Sequence, residues 1–488
     1  MRVVLYLAAG NISNLAVSMV SSIILARFVD LQMLGSFKLV MLYGVTLSAL
    51  LSFQIHTSLL YFVAVERHRI KDWVGHSIGL FVCLGFITSC LSLLLTPLFV
   101  RIAGNGDQMH VLFVAYAPAT GMRVLAGLFP ILCVVCDRTS LIIKNSLILG
   151  LGSVIGNCVA VLLWPTALGF LLCDTVALLV SLLIGGWKEL ISGLGLDIRD
   201  FVPKMNLLTV QLKYSLKLGI ANGIKLLGDR ADRLIATLLL STTGYGVYTI
   251  VAFENPLAGV VLIAFMNALI PTLSLAYKKE NMKVFWYEWK RSVFLGSLAM
   301  LPLTWFSLVY AEEIIGLLFG QKFLLGANVF RLYSLVVLFR CGTYQSLLRS
   351  INVTKYHPYL ALASLVVSVV VGWMGYHWCG MVGVAAGYVV SNAFYNIAVI
   401  VILSIKYDFS VKDTSGVVQV LKGTILSGLP LLPAIIISKS ILSSDCSRIC
   451  VMLVAATVYI ILYICLILRM RIISWDAARK LCYSLKLR

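Results

Sequence analysis

Residues 73–99, WVGHSIGLFVCLGFITSCLSLLLTPLF, run for 27 positions without an Asp, Glu, Lys or Arg. Bilayer hydrocarbon offers no water to satisfy backbone N–H and C=O groups, so a chain crosses it as a helix of about 20 mostly apolar residues. This stretch meets that requirement. Outward from it, comparable intervals lie at approximately 3–26, 39–61, 110–133, 141–163 and 166–187. After a polar gap they resume at approximately 215–240, 245–271, 293–310, 327–348, 359–378, 382–405, 421–437 and 449–468. Of the 488 residues 60% are hydrophobic and 12% charged, about half the charged share of a soluble protein. The chain therefore reads as an all-α, polytopic membrane protein with about fourteen transmembrane helices.

The first interval carries Asn11 and Asn14 and has no A-x-A cleavage site after it, so it is expected to be a retained helix rather than a signal peptide. About 25 Lys and Arg fall on one side of the predicted spans and about six on the other, which places both termini in the cytoplasm. The net charge of +19 is thus mostly topology. No basic run interleaves with aromatics outside the membrane-flanking loops, so no nucleic-acid partner is expected. Of the twelve cysteines, the pairs Cys133/Cys136 and Cys446/Cys450 lack further His or Cys at ligand spacing. Neither a metal nor a disulfide framework is expected.

The chain repeats itself after about six helices. Gly35 and Phe37 in ILARFVDLQMLGSF (24–37) match Gly246 and Tyr248 in IATLLLSTTGYGVY (235–248). Trp73 and Gly104 fall opposite Trp289 and Gly320; Phe113, Tyr116, Arg123 and Arg138 fall opposite Phe330, Tyr333, Arg340 and Lys355. Six is even, so the two halves share one membrane orientation. The expected organisation is a six-helix bundle over 1–190, a cytoplasmic linker over 191–213, a second six-helix bundle over 214–408, and two further helices with a basic cytoplasmic tail over 409–488.

Charges inside spans are costly and usually face protein or a water-filled cavity. Arg123 and Arg340 occupy matched positions halfway along the fourth and tenth spans, and the seventh holds KLLGDRADRLI (225–235). At 100° per residue Lys225 shares a face with Asp229, and Asp229 with Arg233. Glu254 precedes Asn255 and Pro256, whose ring removes a backbone hydrogen bond. The functional reading gives Arg123, Arg340, Lys225, Arg331, Arg230 and Arg233 to a cationic substrate cavity, with Asp229, Asp232, Asp174, Glu254 and His56 as candidates for a coupling H⁺ or Na⁺. The alternative is structural salt bridging between helices. There is no G-x-x-x-x-G-K-[ST] phosphate loop and no grouping of catalytic residues in a soluble segment, so neither a cofactor nor an enzyme activity is expected.

In ILARFVDLQMLGSF, KLLGDRADRLIATLLLSTTGYGVYTIV (225–251), NPLAGVVLIAFMNALIPTLS (255–274) and EEIIGLLFGQKFLLGANVFRLYSL (312–335), the chain resembles the polysaccharide-export branch of the MATE-like flippase superfamily, and its Wzx-type members most. The resemblance implies two six-helix bundles in a V around a central cavity, plus two C-terminal helices. It also implies a flippase that moves undecaprenyl-pyrophosphate-linked oligosaccharide repeat units (O-antigen, capsule or exopolysaccharide) from the cytoplasmic to the periplasmic leaflet of a bacterial inner membrane. Bilayer lipids, a polysaccharide polymerase and a chain-length regulator would be its partners. Asp232 and Arg233 sit in a frame familiar from that family, whereas Arg123 and Arg340 rest on the internal symmetry. A multidrug antiporter of the same fold would favour acidic and aromatic lining, a lipid II flippase would share the cationic lining, and a polysaccharide polymerase or ligase would need a large periplasmic loop.

Overall fold

The computed structural model describes residues 2–104, 106–342, 344–351, 353, 356–407, 409–410, 416–441 and 448–470. Lys355, Cys446 and the basic tail beyond Met470 lie outside the described residues. Among the described residues every regular element is helical: α1 Arg2–Phe28, α2 Leu31–Leu51, α3 Ile55–Val65, α4 Ile70–Ala103, α5 Gly106–Val135, α6 Ser140–Leu163, α7 Ala167–Ile184, α8 Trp187–Leu194, α9 Met205–Leu239 and α10 Thr242–Val251. There follow α11 Pro256–Lys278, α12 Met282–Val309, α13 Ala311–Phe319, α14 Ala327–Arg340, α15 Tyr344–Ser350, α16 His357–Cys379, α17 Met381–Tyr407, α18 Val417–Gly428, α19 Leu431–Ile441 and α20 Arg448–Arg469. Side-chain caps start several of them. Asp30 accepts from Gln32 N at 3.0 Å, Thr166 from Gly169 N at 3.0 Å, and Ser241 from Gly244 N at 3.1 Å, each satisfying a donor the helix itself leaves orphaned.

Eleven helical stretches among the described residues are long and apolar enough to cross a bilayer. The count is lower than the fourteen expected. Among the described side chains α1 shows Leu15–Phe28 as a shorter apolar stretch, and α9 and α11 are not among the eleven; α9 carries seven charged residues. The fold is all-α and polytopic.

The helices pack as two compact units, Met1–Ala252 with Lys355–Ser391, and Phe253–Thr354 with Asn392–Arg488. Packing therefore groups α9, α10 and α16 with the first eight helices. The six-plus-six division of the sequence repeat remains a proposal.

In the first unit the polar stretch around 188–213 is folded rather than slack. After α8, a capping box between Asp197 and Asp200 starts a 3-10 turn over Ile198–Phe201. The Phe201 carbonyl lies so close to α4 that a Cβ on Gly79 would meet it at 1.6 Å. Lys204 then donates its N–H to His76 Nδ1 at 3.0 Å and its ammonium to Asp72 at 2.5 Å, and α9 begins. In the second unit, Tyr459 donates to the Ser427 carbonyl and Tyr463 to the Leu298 carbonyl, both at 2.6 Å, tying α20 to α18 and α12. Leu298 has that carbonyl to offer because its helical donor would be Pro302, which has no N–H.

The matched glycines of the repeat meet. A Cβ on Gly35 would stand 1.9 Å from Thr242 O, and one on Gly246 would stand 2.5 Å from Leu31 O. Each glycine faces the carbonyl of the residue four places before the other, so α2 and α10 cross reciprocally at backbone contact. Replacing Gly246 with Leu is expected to force the helices apart at a cost of about 1–3 kcal/mol and to lower the melting temperature of detergent-extracted protein. Gly259→Ala, where nothing lies within 4 Å of the new carbon, should leave melting unchanged. Equal melting of both variants would contradict the close crossing.

Candidate functional site

The charged string of α9 faces the interior of the first unit. Lys225 and Asp229 form the expected i,i+4 pair at 2.8 Å, each about half exposed. Asp232 is buried and accepts from the Tyr248 hydroxyl at 2.8 Å. Arg230 donates to Thr46 Oγ1 at 2.8 Å. Arg233 donates to the Ala252 carbonyl at 3.0 Å. That carbonyl would serve residue 256 in a continuous helix, but Pro256 has no N–H to give, so the α10–α11 break leaves an acceptor for the guanidinium.

Arg123 on α5 and Asp174 on α7 form an ion pair at 2.5 Å, with side chains 21% and 11% exposed. Tyr116, two turns before Arg123 on the same helix, closes a triangle: Arg123 Nε donates to its hydroxyl at 2.9 Å, and that hydroxyl donates to Asp174 at 2.8 Å. Lys38 on α2 lies within electrostatic reach of Asp174 and Arg233, and Arg230 within reach of Arg123. In this network the cations Lys38, Arg123, Lys225, Arg230 and Arg233 outnumber the carboxylates Asp174, Asp229 and Asp232.

The second unit holds the other matched arginine in the same manner. Arg340 donates to Glu254 at 2.7 Å, and Glu254 sits in the unwound turn before Pro256. Arg331 is engaged elsewhere, at the corner between α12 and α13, where it donates to Glu312 at 3.0 Å, Asn328 at 2.6 Å and the Leu308 carbonyl at 3.2 Å.

A cavity of about 560 Å³ opens inside the first unit, walled by α2, α3, α4, α5, α6, α7 and α9. His56, Arg123, Lys225 and Asp229 from the sequence reading line it, together with Gln54, Asn145 and Asn222. Among the described residues no group of three His, Cys, Asp or Glu is placed to hold a metal ion.

The structure thus pairs residues that sequence reading assigned to separate roles. Asp174 and Glu254, read as coupling candidates, are the counterions of Arg123 and Arg340, read as substrate ligands. Tyr116, Tyr248 and Lys38 were missed as members of the network. Seven-residue spacing from Arg123 was a usable signal for Tyr116. Lys38 lies one residue before the interval 39–61, where a lysine reads as interfacial rather than interior.

Removing one member of an interior pair strands the other, a loss of about 3–5 kcal/mol in buried cases. Arg123→Ala is therefore expected to melt well below the parent protein, and Arg123→Ala with Asp174→Asn to recover most of the difference. Strictly additive losses in this double-mutant cycle would show that the two side chains are not coupled.

No family model matches the chain, and no curated protein matches it. Its backbone is similar to the solved structure of the lipid II flippase MurJ in an inward closed conformation, with TM-score 0.72 and 14% identity over 95% of this chain and 98% of that one. It is also similar to a multidrug resistance MATE family transporter of the MOP superfamily. The inward-facing form gives TM-score 0.61 and 14% identity over 86% and 98% of the two chains, and the outward-facing form 0.57 and 14% over 88% and 96%. At such identity the likeness speaks to architecture alone: the chain shares the all-α fold of these structures.

Proposed function

We propose that the chain is a flippase for an undecaprenyl-pyrophosphate-linked saccharide, moving the head group from the cytoplasmic to the periplasmic leaflet of a bacterial inner membrane. The observation that carries this reading is the excess of basic over acidic side chains inside the first unit, where Lys38, Arg123, Lys225, Arg230 and Arg233 outnumber Asp174, Asp229 and Asp232. Pyrophosphate is attracted to such an interior, and guanidinium forks match its oxygens. A cationic drug is repelled by it, which sets the multidrug antiporter behind the flippase.

On this reading the chain has fourteen helices, the three beyond the eleven being α1, α9 and the α10–α11 pair. Two six-helix bundles with two helices added, and both termini cytoplasmic, complete this reading. H⁺ or Na⁺ drives the cycle through Asp174, Glu254, Asp229, Asp232 or His56, and the substrate is an O-antigen, capsule or exopolysaccharide repeat unit handed to a polymerase with its chain-length regulator. Lipid II is the second reading, favoured by the likeness to MurJ along 95% of the chain. Both cargoes are anionic at the pyrophosphate, so the charge argument serves either.

Deleting the gene and isolating lipid-linked intermediates separates these readings. Build-up of a pyrophosphate-linked repeat unit on the cytoplasmic face, reversed by the intact gene, is the expected result. Build-up of peptidoglycan precursor with loss of viability would move the assignment to lipid II. An unchanged lipid-linked pool with altered drug sensitivity would overturn the flippase reading.

A further inference from the structure

We propose that the cavity of the first unit is a saccharide subsite, built on the break between α2 and α3 and selective for neutral, polyhydroxylated rings. The inference deepens the flippase reading by naming where the sugar, as distinct from the pyrophosphate, is held.

The break is the first argument. Residues 52–54 interrupt the second span, and Phe53 and Gln54 both have positive φ, 43° and 55°. Neither is glycine and no proline is present to force the interruption. Left-handed conformations of such residues cost free energy and persist where the surroundings impose them, often at ligand sites. Helix α9 is shaped to receive the bend: a Cβ on Gly219 would lie 2.8 Å from the Phe53 carbonyl. In hydrocarbon, irregular backbone survives only when buried in protein or lining a cavity. This stretch lines one.

The chemistry of the lining is the second argument. Gln54, His56, Asn145 and Asn222 converge on the cavity, and each offers both donor and acceptor capacity, as vicinal hydroxyls require. Asn145 is oriented by Ser181, whose hydroxyl donates to its Oδ1 at 2.8 Å, leaving the amide NH₂ to donate. Phe53, which is half-buried, supplies apolar surface for a ring face. At about 560 Å³ the space falls within the range of small-molecule sites, about 300–1,000 Å³.

Charge supplies the third argument. The ionised groups that reach the cavity are matched, Lys225 with Asp229 and Arg123 with Asp174. A free phosphate or a drug cation would have to displace one member of a pair, whereas a neutral polyol need not. The other cations of the network, Lys38, Arg230 and Arg233, do not line this cavity.

Full-length protein in detergent micelles, probed by saturation-transfer NMR with the methyl glycosides of glucose, galactose and N-acetylglucosamine, tests the assignment. At least one glycoside should receive saturation and keep it when inorganic pyrophosphate is added. Asn222→Ala and His56→Ala, checked for parental melting temperatures, should each weaken binding about five- to tenfold, the effect of losing one or two hydrogen bonds. Lys322→Ala, in the other unit, should not. Absence of transfer to the parent protein, equal transfer to all variants, or displacement by pyrophosphate would each overturn the saccharide subsite, whatever the deletion strain accumulates. Conversely, glycoside binding lost in the two variants would sustain the subsite even if the deletion strain shows an unchanged lipid-linked pool.

Discussion

Hydrocarbon supplies no hydrogen-bond partners, and most of this architecture follows from that constraint. Where a helix runs unbroken, its own ladder satisfies the backbone. Where it breaks, a side chain must arrive to do so. Pro302 leaves the Leu298 carbonyl without a helical donor and Tyr463 of α20 takes it; Pro256 does the same for Ala252, and Arg233 of α9 takes that one. One contact ties an added C-terminal helix to the second unit, and the other anchors the charged string inside the first. A proline that would be a defect in a soluble helix interior serves here as a docking point for another helix.

The same constraint explains how the charges are disposed. Arg123 and Arg340 are isolated cations in sequence, yet each meets a carboxylate from another part of its unit at hydrogen-bond distance. Pairing of this kind is close to neutral for stability, because the desolvation of two ions offsets their attraction. Its value lies in keeping ionised groups inside a membrane at tolerable cost. Pairing leaves the salt-bridge and functional readings compatible, since an ion pair can hold two helices together and still exchange one partner.

Packing and repeat tell different stories about the chain. The repeat pairs Gly35 with Gly246 and Arg123 with Arg340 across two halves, whereas contact groups α9, α10 and α16 with the first eight helices. The reciprocal crossing at Gly35 and Gly246 reconciles them locally, since equivalent frames of the repeat are the ones that touch. A Cβ at either glycine would occupy the space of the partner's backbone, so the match detected in sequence has a steric meaning.

The amino-acid sequence determined the membrane class, the helical secondary structure, the i,i+4 pair of Lys225 and Asp229, and the opening before Pro256. Each follows from local rules: hydropathy over a window, side-chain spacing on a helix, and a missing N–H. Tertiary structure alone decided that Asp174 answers Arg123 and Glu254 answers Arg340, since partners 51 and 86 residues apart leave no periodic trace. It also decided that residues 198–204 dock against α4, and that the second helix bends at residues 52–54 without proline or glycine. That bend exists because the Phe53 carbonyl finds room against Gly219 of α9, and such a fit between distant segments is invisible until the chain is folded.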